Sequence, residues 1–349
     1  MSNNSSITTV QPTKRIEYID ALRGFTMILV VLFHVAHFCL HVDEVPSVHH
    51  YLLQVRMPMF FFISGFVLYK NGVIWNGAQL ISFFRKKIPV QLISPFLFFA
   101  IFLYSHNSSI ISGSLNPTKM GYWFTFALFE YYVFYAVIMS LVRNKYASII
   151  MLVLGIFLYF INYHVFYDAI PLSDEVKGFL SITQWCYFIF FVLGTIAKRY
   201  FQQFQVLLDN KWVLPFCILF YVLTNVFSDV IPVKDVIVSL PRTIAGLVVL
   251  FSFFRINQRL FSKEHALGRA FQYIGRRTLD IYLIHYFLLP VNLGFITVFI
   301  EHPMPVLEAT FSLIVALIII GACLLISNIL RLSPFLAHWL FGARYQTNK

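Results

Sequence analysis

Residues 20–41 read DALRGFTMILVVLFHVAHFCLH, and the reading of this stretch decides the fold. About 20 predominantly apolar residues suffice to cross a bilayer, yet this run carries Arg23, His34, His37 and His41. An arginine at the centre of a membrane helix costs roughly 2.5–3.5 kcal/mol on insertion scales, and such residues face a bundle interior or a wet cavity. His34 follows Arg23 by eleven residues. At about 100° per residue that is three turns plus about 20°, so both side chains leave one face of a helix. Along the axis they stand about 16 Å apart. The spacing suits a long ligand with a charged end and a reactive end.

Outward from that segment, the 349 residues are 59% hydrophobic and only 12% charged, with 40 Phe and 19 Tyr. Soluble domains carry about 25% charged residues, so this composition predicts an all-α, polytopic transmembrane bundle. A net charge of +11 would suit nucleic acid in a soluble protein. Here the basic residues fall in short loops between apolar runs, so membrane topology accounts for them and no nucleic-acid partner is expected.

Ten apolar runs stand out, at 19–41, 51–69, 88–105, 121–142, 147–166, 178–197, 212–230, 236–254, 272–299 and 307–332. The loops between them alternate in charge. One set holds Arg15, Lys70, Arg85, Lys86, Lys87, Lys198, Arg199, Arg255 and Arg276 among others; the opposite set holds little beyond Lys119, Lys177 and Lys234, offset by acidic residues. The positive-inside rule then predicts about ten helices with both termini cytosolic, in contact with the lipid bilayer. Residues 1–14 are polar, lack an apolar h-region and read as a disordered cytosolic tail. Residues 15–333 read as the transmembrane domain and 334–349 as a cytosolic C-terminal tail. No loop is long enough for a soluble domain, so any active site lies within the bundle or at its rim. Cys39, Cys186, Cys217 and Cys323 are isolated in apolar segments; neither disulfides, a metal site nor a permanently bound cofactor is expected.

Within the first run, Arg23 either snorkels to cytosolic headgroups or faces a cavity, with Asp20 three residues earlier able to pair with it. His34 lies roughly 20 Å deep, past the middle of a hydrocarbon core about 30 Å thick. The second run enters from the other side as RMPMFFFISGFVLYK, from Arg56 to Lys70. Arg56 is about 8 Å below the outer edge, at nearly the depth of His34. A shared polar cavity is therefore expected. Ser64 and Gly65 are small enough for close helix approach. Glu130, about 14 Å deep, needs a partner or a proton. Thr278, Tyr282 and His285 follow at i, i+4 and i+7 as one polar stripe. Arg242 has two readings, outer headgroups or an anionic acceptor.

The Arg23-x10-His34 spacing, the MPMFFFISGFVL run and IGRRTLDIYLIHYFLL at 274–289 together resemble the acyltransferase 3 family of integral membrane acyltransferases. The resemblance covers residues 15–333. It implies transfer of an acyl group, acetyl foremost, from cytosolic acyl-CoA to a hydroxyl of a cell-surface or lipid-linked carbohydrate, in the bacterial cytoplasmic membrane. It implies Arg23 and His34 as the catalytic pair, Arg23 holding the donor and His34 acting as general base. Arg85, Lys86 and Lys87 fall where the family holds the CoA phosphates. There the family carries two arginines on successive turns; Lys87 and Gln91 are the nearest matches, a partial fit. Arg56, Ser64, Glu130 and His285 complete the expected site as acceptor-side residues. The opposing reading of the same buried charges is a transporter or flippase for a glycan or anionic small molecule.

Overall fold

A chain in lipid must satisfy its backbone internally, so long apolar runs fold as helices. The computed structural model describes residues 15–40, 49–142, 144–161, 170–227, 235–290 and 304–343, and its regular elements there are all helical. Among the described residues five helices are long and apolar enough to cross a membrane: Glu17–Cys39, Gly77–Ser105, Trp123–Leu141, Ile237–Ile256 and Pro305–Leu330. The pair Phe201–Asp209 and Val213–Val226, bent by 77°, makes a sixth if taken as one broken span. Shorter apolar helices cover Gln54–Leu68, Tyr146–Ile161 and Thr278–Leu288.

Several of the ten apolar runs are thus not single uninterrupted helices. In 178–197, Ser181 adopts a left-handed conformation (φ 49°) and a 3-10 turn, Ile182–Tyr187, separates the helices Asp174–Phe179 and Phe188–Arg199. In 272–299, one helix stops at Arg276 and the next begins at Thr278, with Arg277 off helical geometry between them. The rest of that run beyond 290, the tail 1–14, His41 and residues 344–349 lie outside the described residues. Residues Pro334–Phe341, read as tail, form a helix whose Phe341 packs near Phe98. The basic triplet Arg85, Lys86 and Lys87 sits inside a helix, Gly77–Ile88. That helix starts at Asn76, whose side chain caps Gln79, and continues through a π-helical turn, Pro89–Ile93, into Ser94–Ser105.

The first helix, Glu17–His34, is the axis of the fold. It is the most enclosed span, 72% buried against 28% for Pro305–Leu330. Its N-terminal half, with Tyr18, Ile19, Ala21 and Leu22, belongs to one apolar cluster, and its C-terminal half and the turn after it, from Met27 to Cys39, to a second. Two glycine pairs bring long helices into backbone contact. A Cβ on Gly24 would stand 2.0 Å from the Phe271 carbonyl oxygen, and one on Gly275 would stand 1.9 Å from that of Asp20. The second helix does the same: a Cβ on Gly65 would meet Phe191 O at 2.0 Å, and one on Gly194 would meet Phe62 O at 1.9 Å. Small residues thus let four backbones touch, as membrane interfaces favour.

Buried charges elsewhere are paired or capped. Asp280, 2% exposed, accepts both Arg331 Nε and Nη2 at 2.8 Å, Arg277 Nη1 at 3.1 Å and the Ser327 hydroxyl, tying the helix Thr278–Ile284 to Pro305–Leu330. Lys119, in the loop before Trp123, is buried and donates to the carbonyls of Gly178 and Phe179 at 2.8 and 3.2 Å. A cation there closes the C-terminal end of a short helix, where carbonyls lack partners. Burial pulls its ammonium down to about 8, opposed by the charge of Glu130.

Candidate active site

The first helix presents Arg23 and His34 to one cavity of about 550 Å³. The face-sharing expected from their spacing holds because the helix is uninterrupted from Glu17 to His34. Immediately after His34 the chain widens into a π-helical turn, Val35–Cys39, a local irregularity that recurs at functional sites.

At the Arg23 end, its Nη2 donates to Thr278 Oγ1 at 3.0 Å. The sequence allows Asp20 to pair with Arg23; among the described residues no ion pair within 4.0 Å joins the two. Lys86 and Lys87 line the same cavity, whereas Arg85 does not. On a helix, successive residues point about 100° apart, so three consecutive cations cannot all face one space. Lys87 Nζ lies 4.4 Å from the centroid of the Tyr132 ring, a cation–π contact that holds it at the wall.

At the deep end, His34 is held from both ring nitrogens. Its Nδ1 is 2.9 Å from His285 Nε2, and its Nε2 is 3.1 Å from the Tyr286 hydroxyl. The same hydroxyl lies 3.2 Å from Gly121 O. Adjacent residues reach opposite sides of one imidazole because the helix tightens into a 3-10 turn at His285–Leu288. Arg56 comes from the second helix with its guanidinium carbon 3.4 Å from the centroid of the Phe33 ring, and Phe33 and His34 ring centroids are 5.3 Å apart. Arg56 and His34 therefore flank a single aromatic ring, and both line the cavity. A guanidinium stacked by its face keeps its N–H edge free for a ligand.

Ser64 also lines the cavity, its hydroxyl donating to Phe60 O at 2.7 Å. Glu130 and His285 lie outside the lining. Glu130 accepts from the Trp185 indole at 2.7 Å, a partner of its own. His285 is fully buried behind His34. Arg242 is buried too and donates to Thr224 O at 3.2 Å. Sequence reasoning did not single out Tyr286, Gly121 or Asp280. The signals were a hydroxyl next to a histidine and a carboxylate inside an apolar run; the glycine gave none.

Among the described residues the lining contains Arg23, Arg56, Lys70, Lys86 and Lys87 but no Asp or Glu. A cationic chamber in an apolar bundle favours an anionic occupant, and a histidine at its deep end can exchange a proton with that occupant's reacting group.

A family model for the acyltransferase 3 domain, described as an acyltransferase domain, matches residues 16–327. The chain belongs to the acyltransferase 3 family and, with its apolar helices, is a multi-pass membrane protein. No curated protein and no solved structure matches it.

Proposed function

We propose that this membrane acyltransferase is an O-acyltransferase that moves an acyl group, most simply acetyl, from cytosolic acyl-CoA to a hydroxyl of a cell-surface or lipid-linked carbohydrate. One observation carries the reading: a single chamber runs from three cations, Arg23, Lys86 and Lys87, to a hydrogen-bonded histidine, with no carboxylate among the described residues of its lining. Coenzyme A has phosphates at one end and a thioester on a flexible arm at the other. The phosphates meet the cations, where guanidinium and ammonium donors make charge-assisted hydrogen bonds. The arm reaches past the midplane to His34.

In this reading His34 takes the proton of the acceptor hydroxyl as its oxygen bonds to the acyl carbon. The carbon–sulfur bond then breaks and the departing sulfur receives that proton, releasing CoA thiol and an ester. Arg56 faces the charge that develops on the acyl oxygen or the acceptor. The acyl group passes directly from donor to acceptor, without a covalent enzyme intermediate. The topology we propose has about ten membrane passes with both termini cytosolic, in the bacterial cytoplasmic membrane. Donor then enters from the basic side and acceptor from the opposite side.

The test is acyl transfer in membranes holding the protein, supplied with labelled acetyl-CoA and envelope carbohydrate. Thiol release and alkali-labile label in the carbohydrate are expected, and both should vanish in His34→Ala. Equal release by wild type and His34→Ala, with no label in carbohydrate, overturns the proposal.

A further inference from the structure

His285 is completely buried and is not part of the cavity wall, so it does not touch a ligand there. It does touch His34. Their ring centroids are 5.0 Å apart with planes 20° from parallel, and His285 Nε2 lies 2.9 Å from His34 Nδ1. The other nitrogen of His285, Nδ1, is 3.0 Å from the carbonyl oxygen of Ile281.

These contacts fix where the protons sit. A carbonyl oxygen only accepts, so His285 Nδ1 carries a hydrogen and donates it to Ile281 O. In a neutral ring the remaining nitrogen, Nε2, is then an acceptor. The proton between the two rings must come from His34, on Nδ1. His34 Nε2 is thereby left with its lone pair, on the side where Tyr286 and Gly121 line the cavity. The Tyr286 hydroxyl has one hydrogen and two acceptors within reach, His34 Nε2 and Gly121 O. When it donates to Gly121, Nε2 is open to an incoming hydroxyl.

We propose that His285 is a positioning residue that holds His34 in the tautomer with its proton on Nδ1, so that Nε2 faces the cavity as the base. The proposal rests on the acyl-transfer reading for its consequence, though not for its geometry. When Nε2 takes the acceptor's proton, His34 becomes an imidazolium that still donates from Nδ1 to His285. The orientation persists through the step, and the proton leaves from Nε2 to the departing thiol. An unheld imidazole would distribute its proton between both nitrogens and rotate, and only part of the population would offer Nε2. Ligand-orienting groups one layer out typically matter by about 10–100-fold.

The experiment has two independent readouts. In protein carrying 15N-labelled histidine in nanodiscs, the His34 signal, assigned by its loss in His34→Gln, should have the pattern of a neutral ring protonated on Nδ1. His285→Leu removes the acceptor and should convert that pattern to a mixture. His285→Gln presents an amide oxygen near the former Nε2 position and should restore it in large part. With acetyl-CoA and envelope carbohydrate, His285→Leu should lower kcat by about 10–100-fold with the KM for acetyl-CoA unchanged, and His285→Gln should recover much of the loss. An Nε2-protonated or doubly protonated His34 in the wild type overturns the proposal. So does a pattern unaltered in His285→Leu, or a raised KM at constant kcat. If the tautomer behaves as stated but no variant and no wild type transfers acetyl, the positioning stands and the acyl-transfer reading falls.

Discussion

The two ends of the segment Thr278–Leu288 treat buried polar groups in opposite ways. Near its start, Asp280 is surrounded by Arg277, Arg331 and Ser327, and each of its oxygens has a donor. Near its end, His285 and Tyr286 grip His34, but the chamber beyond them contains guanidinium and ammonium groups without a carboxylate among the described residues. The first arrangement is closed and can contribute only to holding helices together. The second is left open, and desolvated cations without a counter-charge are tolerated in a bundle where a ligand supplies it. On the proposed function, ionic completeness separates the structural end from the reacting one.

The largest expected effect tests the open end. His34→Ala should cut turnover by about 10²–10⁴-fold, the contribution typical of a general base, while the thermal unfolding midpoint in detergent stays close to wild type. A large fall in that midpoint would move His34 to the structural side. Next comes the closed end. Asp280→Ala leaves two guanidiniums around an emptied site and should cost about 3 kcal/mol of stability, read by denaturant or thermal unfolding. Transfer per folded molecule should survive; its complete loss would erase the distinction between the ends.

A smaller effect probes the contact that brings the helix before Thr278 against the first. Gly275→Ala places a methyl 1.9 Å from the Asp20 carbonyl oxygen, so the backbones must part, at about 1–3 kcal/mol for overpacking. Arg23→Lys should raise the KM for acyl-CoA by about tenfold, near 1.4 kcal/mol, because an ammonium cannot grip phosphate bidentately. An unchanged KM would detach Arg23 from the donor. Smallest of all, Glu130→Gln keeps an oxygen for the Trp185 indole and should change transfer little, with under about 1 kcal/mol in stability.

Much of this was legible in the chain. The run 20–41 announced its helix and its face, since an Arg and a His on one stripe of an apolar segment have few places to point. The depth argument that brought Arg56 to His34 from the opposite direction needed only rise per residue and bilayer thickness, and both residues line the chamber. Less legible were the interruptions. Ser181 turning left-handed within 178–197 and the break at Arg277 within 272–299 interrupt helices that hydropathy alone reads as continuous. Hydropathy measures transfer into lipid, whereas these breaks are backbone geometry set by neighbouring helices.

The partners of polar groups were the other gap. Nothing in sequence spacing distinguishes a carboxylate that binds a substrate from one that accepts a tryptophan N–H, as Glu130 does. Nor does it distinguish an arginine aimed at headgroups from one donating to a carbonyl, as Arg242 does.

By itself, the sequence determined that the chain is a helical membrane protein organised on one polar-striped segment, with Arg23 and His34 on a common face. Those follow from composition and helical period, which are local. Only the tertiary structure decided that Lys86 and Lys87 join Arg23 while Arg85 turns away, that Asp280 is consumed by two arginines, and that His285 stands behind His34. Each depends on which side chains from distant parts of the chain share a few ångströms, and hydrogen bonds and ion pairs are decided at that range.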